Sequence, residues 1–214
     1  MRFTVFGATG GTGRQLVRQA LDAGHEVTAV VRDPARLPVP DEGSARLEVV
    51  TADVTDPEAL APALSGRDAV LSALGAPSNK AAGIASRGTR AILAAMETSG
   101  VRRYIGVSAA PVAPFGEDES LFFRTVAVPL VRRALRRVYA DLAVMEEAVR
   151  ASGLEWTLVR PPRLTDQPAS GTYRRTIGAN VPRGRTVPRA DLAAAILEMV
   201  EDPATVRQGV GVAS

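Results

Sequence analysis

The stretch Val5-Phe6-Gly7-Ala8-Thr9-Gly10-Gly11-Thr12-Gly13 decides the fold. A short apolar strand, Arg2–Phe6, runs into glycines spaced Gly-x-x-Gly-x-x-Gly. A helix over Gly11–Ala23 follows, with Leu16, Val17, Ala20 and Leu21 on one face and Gly24 ending it. Glycines at this junction have separate duties: a tight turn, close approach of backbone to a pyrophosphate, and close packing of helix on strand. The helix start adds free N–H groups and the positive end of its dipole. Thr9 and Thr12 can add hydroxyl donors. Gly7, Thr9, Gly10, Gly11, Thr12 and Gly13 are therefore the candidate phosphate-binding residues for a dinucleotide.

Outward from this loop, strands alternate with helices. Glu26–Val31, Leu47–Thr51, Ala69–Ser72, Arg103–Val107 and Glu155–Val159 read as strands. Helices are expected after Asp56-Pro57-Glu58, from about Ala82 to Thr98 with a stop at Gly100, and from about Ala140 to Ala151. The alternation implies an α/β, Rossmann-type doubly wound parallel sheet with helices on both faces. One domain over residues 1–214 is expected. Residues 112–138 form a candidate substrate lid, and 163–214 a small C-terminal extension on the substrate side.

The composition narrows the chemistry. There is no cysteine, so disulfides, thiolate catalysis and cysteine-bound metals are excluded. No metal site is expected. The 26 basic residues include a single lysine, Lys80, and His25 is the only histidine. A formal net charge of +3 does not call for a nucleic-acid partner. The first apolar run is too short for the core of a secretion signal, and no stretch has the length of a membrane span. A cytoplasmic location, as monomer or homodimer and without a membrane partner, is the expectation.

The second strand ends Val30-Val31-Arg32-Asp33-Pro34. An acid near this position suits a ribose hydroxyl, and an arginine suits a 2′-phosphate. Arg32 follows the strand directly, where it can cover an adenine and reach the phosphate. Asp33 precedes proline and looks like a turn or cap residue. NADP(H) is expected ahead of NAD(H).

The chain resembles the atypical branch of the short-chain dehydrogenase/reductase superfamily. It is similar there to NAD(P)H-binding, NmrA-like proteins of the biliverdin reductase B/flavin reductase type. The resemblance rests on the glycine loop, Val31-Arg32-Asp33-Pro34, Ala52-Asp53-Val54-Thr55-Asp56, Ser72-Ala73-Leu74-Gly75, Val107-Ser108-Ala109 and Trp156-Thr157-Leu158-Val159-Arg160-Pro161-Pro162. It implies that Asp53 and Val54 border the adenine, and that Ala73, Leu74 and Gly75 follow the ribose and pyrophosphate. It also implies that Ser108, Pro161 and Pro162 surround the nicotinamide.

Standard members of the superfamily activate a tyrosine with a lysine four residues on. Here Tyr104, Tyr139 and Tyr173 are followed at that spacing by Ser108, Ala143 and Ile177. His25 precedes the second strand, at the end of the sheet opposite the glycine loop. Related flavin-reductase-type proteins carry a histidine after the two prolines, where this chain has Arg163. Arginine is a poor proton donor but a good clamp for an anionic oxygen. The candidate catalytic residues are Ser108, Tyr139 and Arg163. The expected function is NADPH-dependent hydride transfer to a small flavin, quinone or carbonyl substrate, anionic or aromatic in character. The alternative is a non-catalytic NADP(H)-binding redox sensor of the NmrA-like type.

Phe115, Leu121, Phe122, Phe123 and Val126 are apolar enough to form a mobile substrate lid, and equally suit ordinary core. Behind them, Arg132, Arg133, Arg136 and Arg137 recur at helical spacing. A solvated face, paired with Asp141 and Glu146, is the reading preferred over a rim for an anionic substrate or a surface for nucleic acid or a partner.

Overall fold

A computed structural model describes residues 1–37, 44–76, 78–114, 125–126 and 128–214. Ten strands are named: β1 (Arg2–Phe6), β2 (Glu26–Val31), β3 (Leu47–Thr51), β4 (Ala69–Ser72), β5 (Arg103–Val107), β6 (Glu155–Arg160), β7 (Arg163–Thr165), β8 (Arg174–Ile177), β9 (Thr186–Pro188) and β10 (Gln208–Ala213). The α-helices are α1 (Gly11–Asp22), α2 (Pro57–Leu64), α3 (Ile84–Ser99), α4 (Val128–Ala134), α5 (Arg136–Ala151) and α6 (Arg189–Val200).

Eight strands form one sheet in the order β3-β2-β1-β4-β5-β6-β10-β8. All pairings in it are parallel except β10 with β8. The order reverses between β1 and β4, so the loops after these strands flank a crevice at the carboxyl edge, where open α/β sheets take ligands. Central strands are apolar on both faces because helices cover both. Phe3, Val5, Leu16, Leu71, Ile105, Leu192 and Ile196 pack on the side of α1 and α6. Phe6, Leu60, Val70, Ile92, Met96, Tyr104, Met145 and Leu158 pack on the side of α2, α3 and α5.

Three features depart from the sequence pattern. The C-terminal residues do not stand apart from the sheet. β10 pairs with β6, β8 completes the edge, and α6 packs along α1. The expected helix at Ala140 begins at Arg136, and a break at Leu135 separates it from α4. Asn79 holds that break: its amide donates to Ala134 O, and its carbonyl accepts from the Arg137 and Val138 N–H groups. Finally, the basic run does not pair with Asp141 and Glu146. Both acids are buried, because the core stripe of α5 is wider than Leu142, Met145 and Val149 alone. Asp141 accepts from the Ala85 and Ser86 N–H groups at the start of α3, and Glu146 turns to Arg160.

Candidate functional site

The glycine loop leaves β1 and enters α1 at the carboxyl edge. Gly7 has φ +73°, and a Cβ there would sit 2.6 Å from Ala73 O. A Cβ on Gly13 would run into the Gly7 carbonyl, so this glycine is needed for helix and strand to touch. Gly10 N–H donates to Gly7 O at 2.9 Å, closing the turn. Gly10 itself is exposed, with only Gly7 O, 3.2 Å away, near a Cβ position. No side chain caps α1, and its first turn carries no acid. Bare N–H groups and a backbone without side chains are what an anionic group needs in order to approach. The residues present therefore fit a pyrophosphate.

At the end of β2, Arg32 is exposed. Asp33 accepts from Ala35 N–H and caps a short 3-10 turn. Asp53, after β3, accepts from the N–H and hydroxyl of Thr55 at 2.9 and 2.8 Å. Those bonds, with the charges of Arg32 and Arg87 nearby, hold its carboxyl below the usual range. Arg32, Asp53 and Arg87 thus share one corner of the crevice. Val54 is buried beneath it, where a Cβ on Gly88 would meet Leu74 and Val54. Ala73 N–H extends the β1–β4 ladder to Phe6 O, and Gly75 is exposed beyond it.

Further along the edge, Ser108 follows β5. Its N–H donates to Val159 O at 2.7 Å, while its side chain is 6% exposed and makes no hydrogen bond of ordinary geometry. The hydroxyl still lies near enough to Glu146 to help keep that carboxyl ionised. Glu146 is 1% exposed and receives two bonds from Arg160, Nε–Oε1 at 2.9 Å and Nη2–Oε2 at 2.8 Å. Arg150 pairs with it from the next turn of α5. Burial would raise the Glu146 pKa, but the hydrogen bonds and charges of these partners outweigh it, and the net shift is downward.

Pro161 is buried and its carbonyl accepts from Ala110 N–H at 2.8 Å, tying the end of β6 to the turn after Ser108. Pro162 is half-buried. Arg163 is exposed and starts β7, which pairs with β9. Asn180 donates to Ala110 O and Pro114 O, and its own buried carbonyl oxygen has no partner. Tyr139 is half-buried on α5, which packs against the turn after Ser108. Burial raises its phenol pKa, against the pull of Arg132.

Tyr104 is fully buried beside Thr89, and burial pushes its phenol up. His25 lies at the amino edge, against Phe3 and the N-terminal amine. A cavity of about 200 Å³ also lies at that edge, lined by Glu26, Arg46, Glu48 and Arg67, far from the crevice. Among the described residues no cluster of acids and histidine could hold a metal, and no helix is long and apolar enough to cross a membrane. Of the apolar cover residues, Phe115, Leu121, Phe122 and Phe123 lie outside the described residues, and Val126 is exposed.

Residues 7–203 match the model of the NAD(P)H-binding family. The chain belongs to that family. It is 29% identical over 163 residues to the photosystem II assembly factor Ycf39 of Cyanophora paradoxa, covering 75% of this chain and 44% of that protein. It is 34% identical over 158 residues to the (4-alkanoyl-5-oxo-2,5-dihydrofuran-3-yl)methyl phosphate reductase of Streptomyces griseus, covering 73% of this chain and 46% of the reductase. The chain thus spans under half the length of both relatives. A short-chain dehydrogenase/reductase of Veillonella parvula, solved in complex with NADP, superposes with TM-score 0.80 at 22% identity, covering 100% of this chain and 94% of the other. As in that family, the cofactor here is NAD(P)H.

The sequence did not single out Glu146, Arg160, Asn180 or Arg87. Two signals were available. Arg160 is a charge at the end of a buried apolar strand and needs a buried partner. Glu146 lies on the inward stripe of α5, one residue after Met145.

Proposed function

We propose that this member of the NAD(P)H-binding family is an NADPH-dependent reductase that transfers hydride to a small flavin, quinone or carbonyl compound, without a tyrosine–lysine pair. The observation that carries the reading is the Ser108 hydroxyl, buried at the carboxyl end of β5 with no regular partner. A bound carbonyl or carboxamide would give this hydroxyl, which otherwise lies only near Glu146, a regular hydrogen bond. In this reading Gly7–Gly13 take the pyrophosphate, and Arg32 takes the 2′-phosphate beside Asp53 and Val54. Ala73, Leu74 and Gly75 border the middle of the cofactor, and Pro161 and Pro162 the nicotinamide. Arg163 faces an anionic group of the substrate. The Streptomyces relative, named as a reductase of a phosphate-bearing furanone, supports a substrate of that chemistry.

The bound cofactor would supply the hydride, and the chain would position the acceptor and exclude water. Flavins and quinones can take their proton from solvent, so no strong acid is required. The competing reading is a non-catalytic NADP(H) sensor. It is favoured by the sealed position of Tyr104 and by the distance in sequence between every tyrosine and the exposed Lys80. NADPH oxidation assayed with flavins, quinones and aldehydes separates the two. Turnover is expected. Tight binding of NADP⁺ and NADPH with no turnover on any acceptor would establish the sensor instead.

A further inference from the structure

We propose that Arg189, from the first turn of α6, is a direct ligand of the cofactor pyrophosphate. The proposal rests on the cofactor site described above. Gly11 occupies a position inside the glycine motif that the Gly-x-x-Gly-x-x-Gly spacing does not require to be glycine. The structure gives it a reason: a Cβ there would stand 2.6 Å from Arg189 Cδ and 2.8 Å from Nε. The missing side chain makes room for the arginine stem, which brings the guanidinium to the opening of α1.

The electrostatics at this point are unbalanced. Arg189 is the first residue of α6, so its charge sits at the positive end of its own helix dipole. It reaches the positive end of a second helix, α1, whose first turn holds Arg14 and no acid. Asp191, the acid of the first turn of α6, is buried and taken up by Ser170 and Gly171. The counter-charge Arg189 meets is Asp166, at 2.6 Å from Nη1, with a side chain 88% exposed. An exposed carboxylate partner is weakly held. Two helix starts and a guanidinium, 27% exposed, therefore converge on one solvent-facing spot with one exposed carboxylate to serve them. Arginine's planar fork can bridge phosphate oxygens while its remaining N–H keeps Asp166.

The pyrophosphate is common to NADPH and NADH, which makes the proposal separable from a role at the 2′-phosphate. Calorimetric titration of Arg189→Ala with each cofactor should show both affinities reduced, roughly ten-fold or more. Arg189→Lys should recover part of both, since a point charge remains. Asp166→Asn should bind both cofactors at least as tightly as the wild type, because it removes a negative charge from beside the pyrophosphate. Arg189→Ala binding within two-fold of wild type would overturn the proposal, as would a loss confined to NADPH. An equal loss in Asp166→Asn would overturn it too, since the ion pair would then be a structural latch. A wild-type protein that binds neither cofactor would overturn the reading of the whole site, and this proposal with it.

Discussion

Arg160 reaches from the last position of β6 to grip both carboxylate oxygens of Glu146 on α5, at 2.9 and 2.8 Å, in a nearly solvent-free position. The pair joins the strand before Pro161 to the helix behind Ser108. It thereby ties the end of β6 to the helix that packs against the turn after Ser108. Breaking a buried pair by removing one partner leaves an uncompensated charge and costs about 3–5 kcal/mol. Glu146→Ala should lose that much stability in urea unfolding, and an unchanged midpoint would show that water solvates Arg160.

The same pair sets an acid limit. The Glu146 carboxyl is held below its ordinary value of 4.5 by its arginine partners. A carboxyl with a depressed folded-state pKa binds protons more readily when unfolded, so stability rises with pH through this range. Its contribution is present in full above about 4.5 and is lost as pH falls through the folded value. Glu146→Gln should flatten this acid limb. An identical pH dependence in the variant would assign acid unfolding to other groups.

The glycines of the phosphate loop should separate by function. Gly10→Val places branched carbons at an exposed position, so NADPH binding should fall sharply while thermal unfolding changes little. Gly13→Ala forces a Cβ into the Gly7 carbonyl and should lower stability even without cofactor. Intact NADPH binding by a folded Gly10→Val protein would remove the loop from the binding site.

Much of this architecture was legible because it is written in local signals. The glycine spacing, the apolar strands and the Asp56-Pro57 helix start each depend on neighbours in sequence, and they recur in the structure as read. The end of the basic run was not legible in the same way. Whether α5 starts at Arg136 or Ala140 depends on Asn79, 58 and 59 residues from the Arg137 and Val138 N–H groups that it satisfies and that the run itself cannot cap. Glu146 reads as a surface charge in the sequence because its partner Arg160 arrives only when β6 is laid beside α5. Arg189 carries no local signal because its setting is the space left by Gly11, 178 positions away in sequence.

Arg32 should decide the choice of cofactor. It is exposed at the end of β2 and shares its corner with Asp53 and Arg87. Arg32→Ala should weaken NADPH by about 1.5–3 kcal/mol, the value of a charge-assisted hydrogen bond, and leave NADH nearly unchanged. Equal losses for both would place Arg32 at the adenine instead, with Arg87 the next candidate for the 2′-phosphate.

Ser108 tests the reactive end of the site. Its backbone is pinned to Val159, and Ala110 beyond it is pinned to Pro161, so the residue is held in place while its hydroxyl, near Glu146, makes no hydrogen bond of ordinary geometry. Ser108→Ala should reduce turnover modestly, by the value of one neutral hydrogen bond, about 0.5–1.5 kcal/mol. Cofactor affinity should hold, since the pyrophosphate and adenine contacts lie elsewhere. Arg163→Ala should behave differently. Its side chain is exposed just after Pro162, so in the proposed site it should raise the Michaelis constant for an anionic acceptor more than it lowers kcat. A loss of turnover in Ser108→Ala by several orders of magnitude would make the hydroxyl an obligatory proton donor. A cofactor-bound structure with the nicotinamide more than about 10 Å from Ser108, beyond even a water-bridged contact, would move the reaction to another part of the crevice.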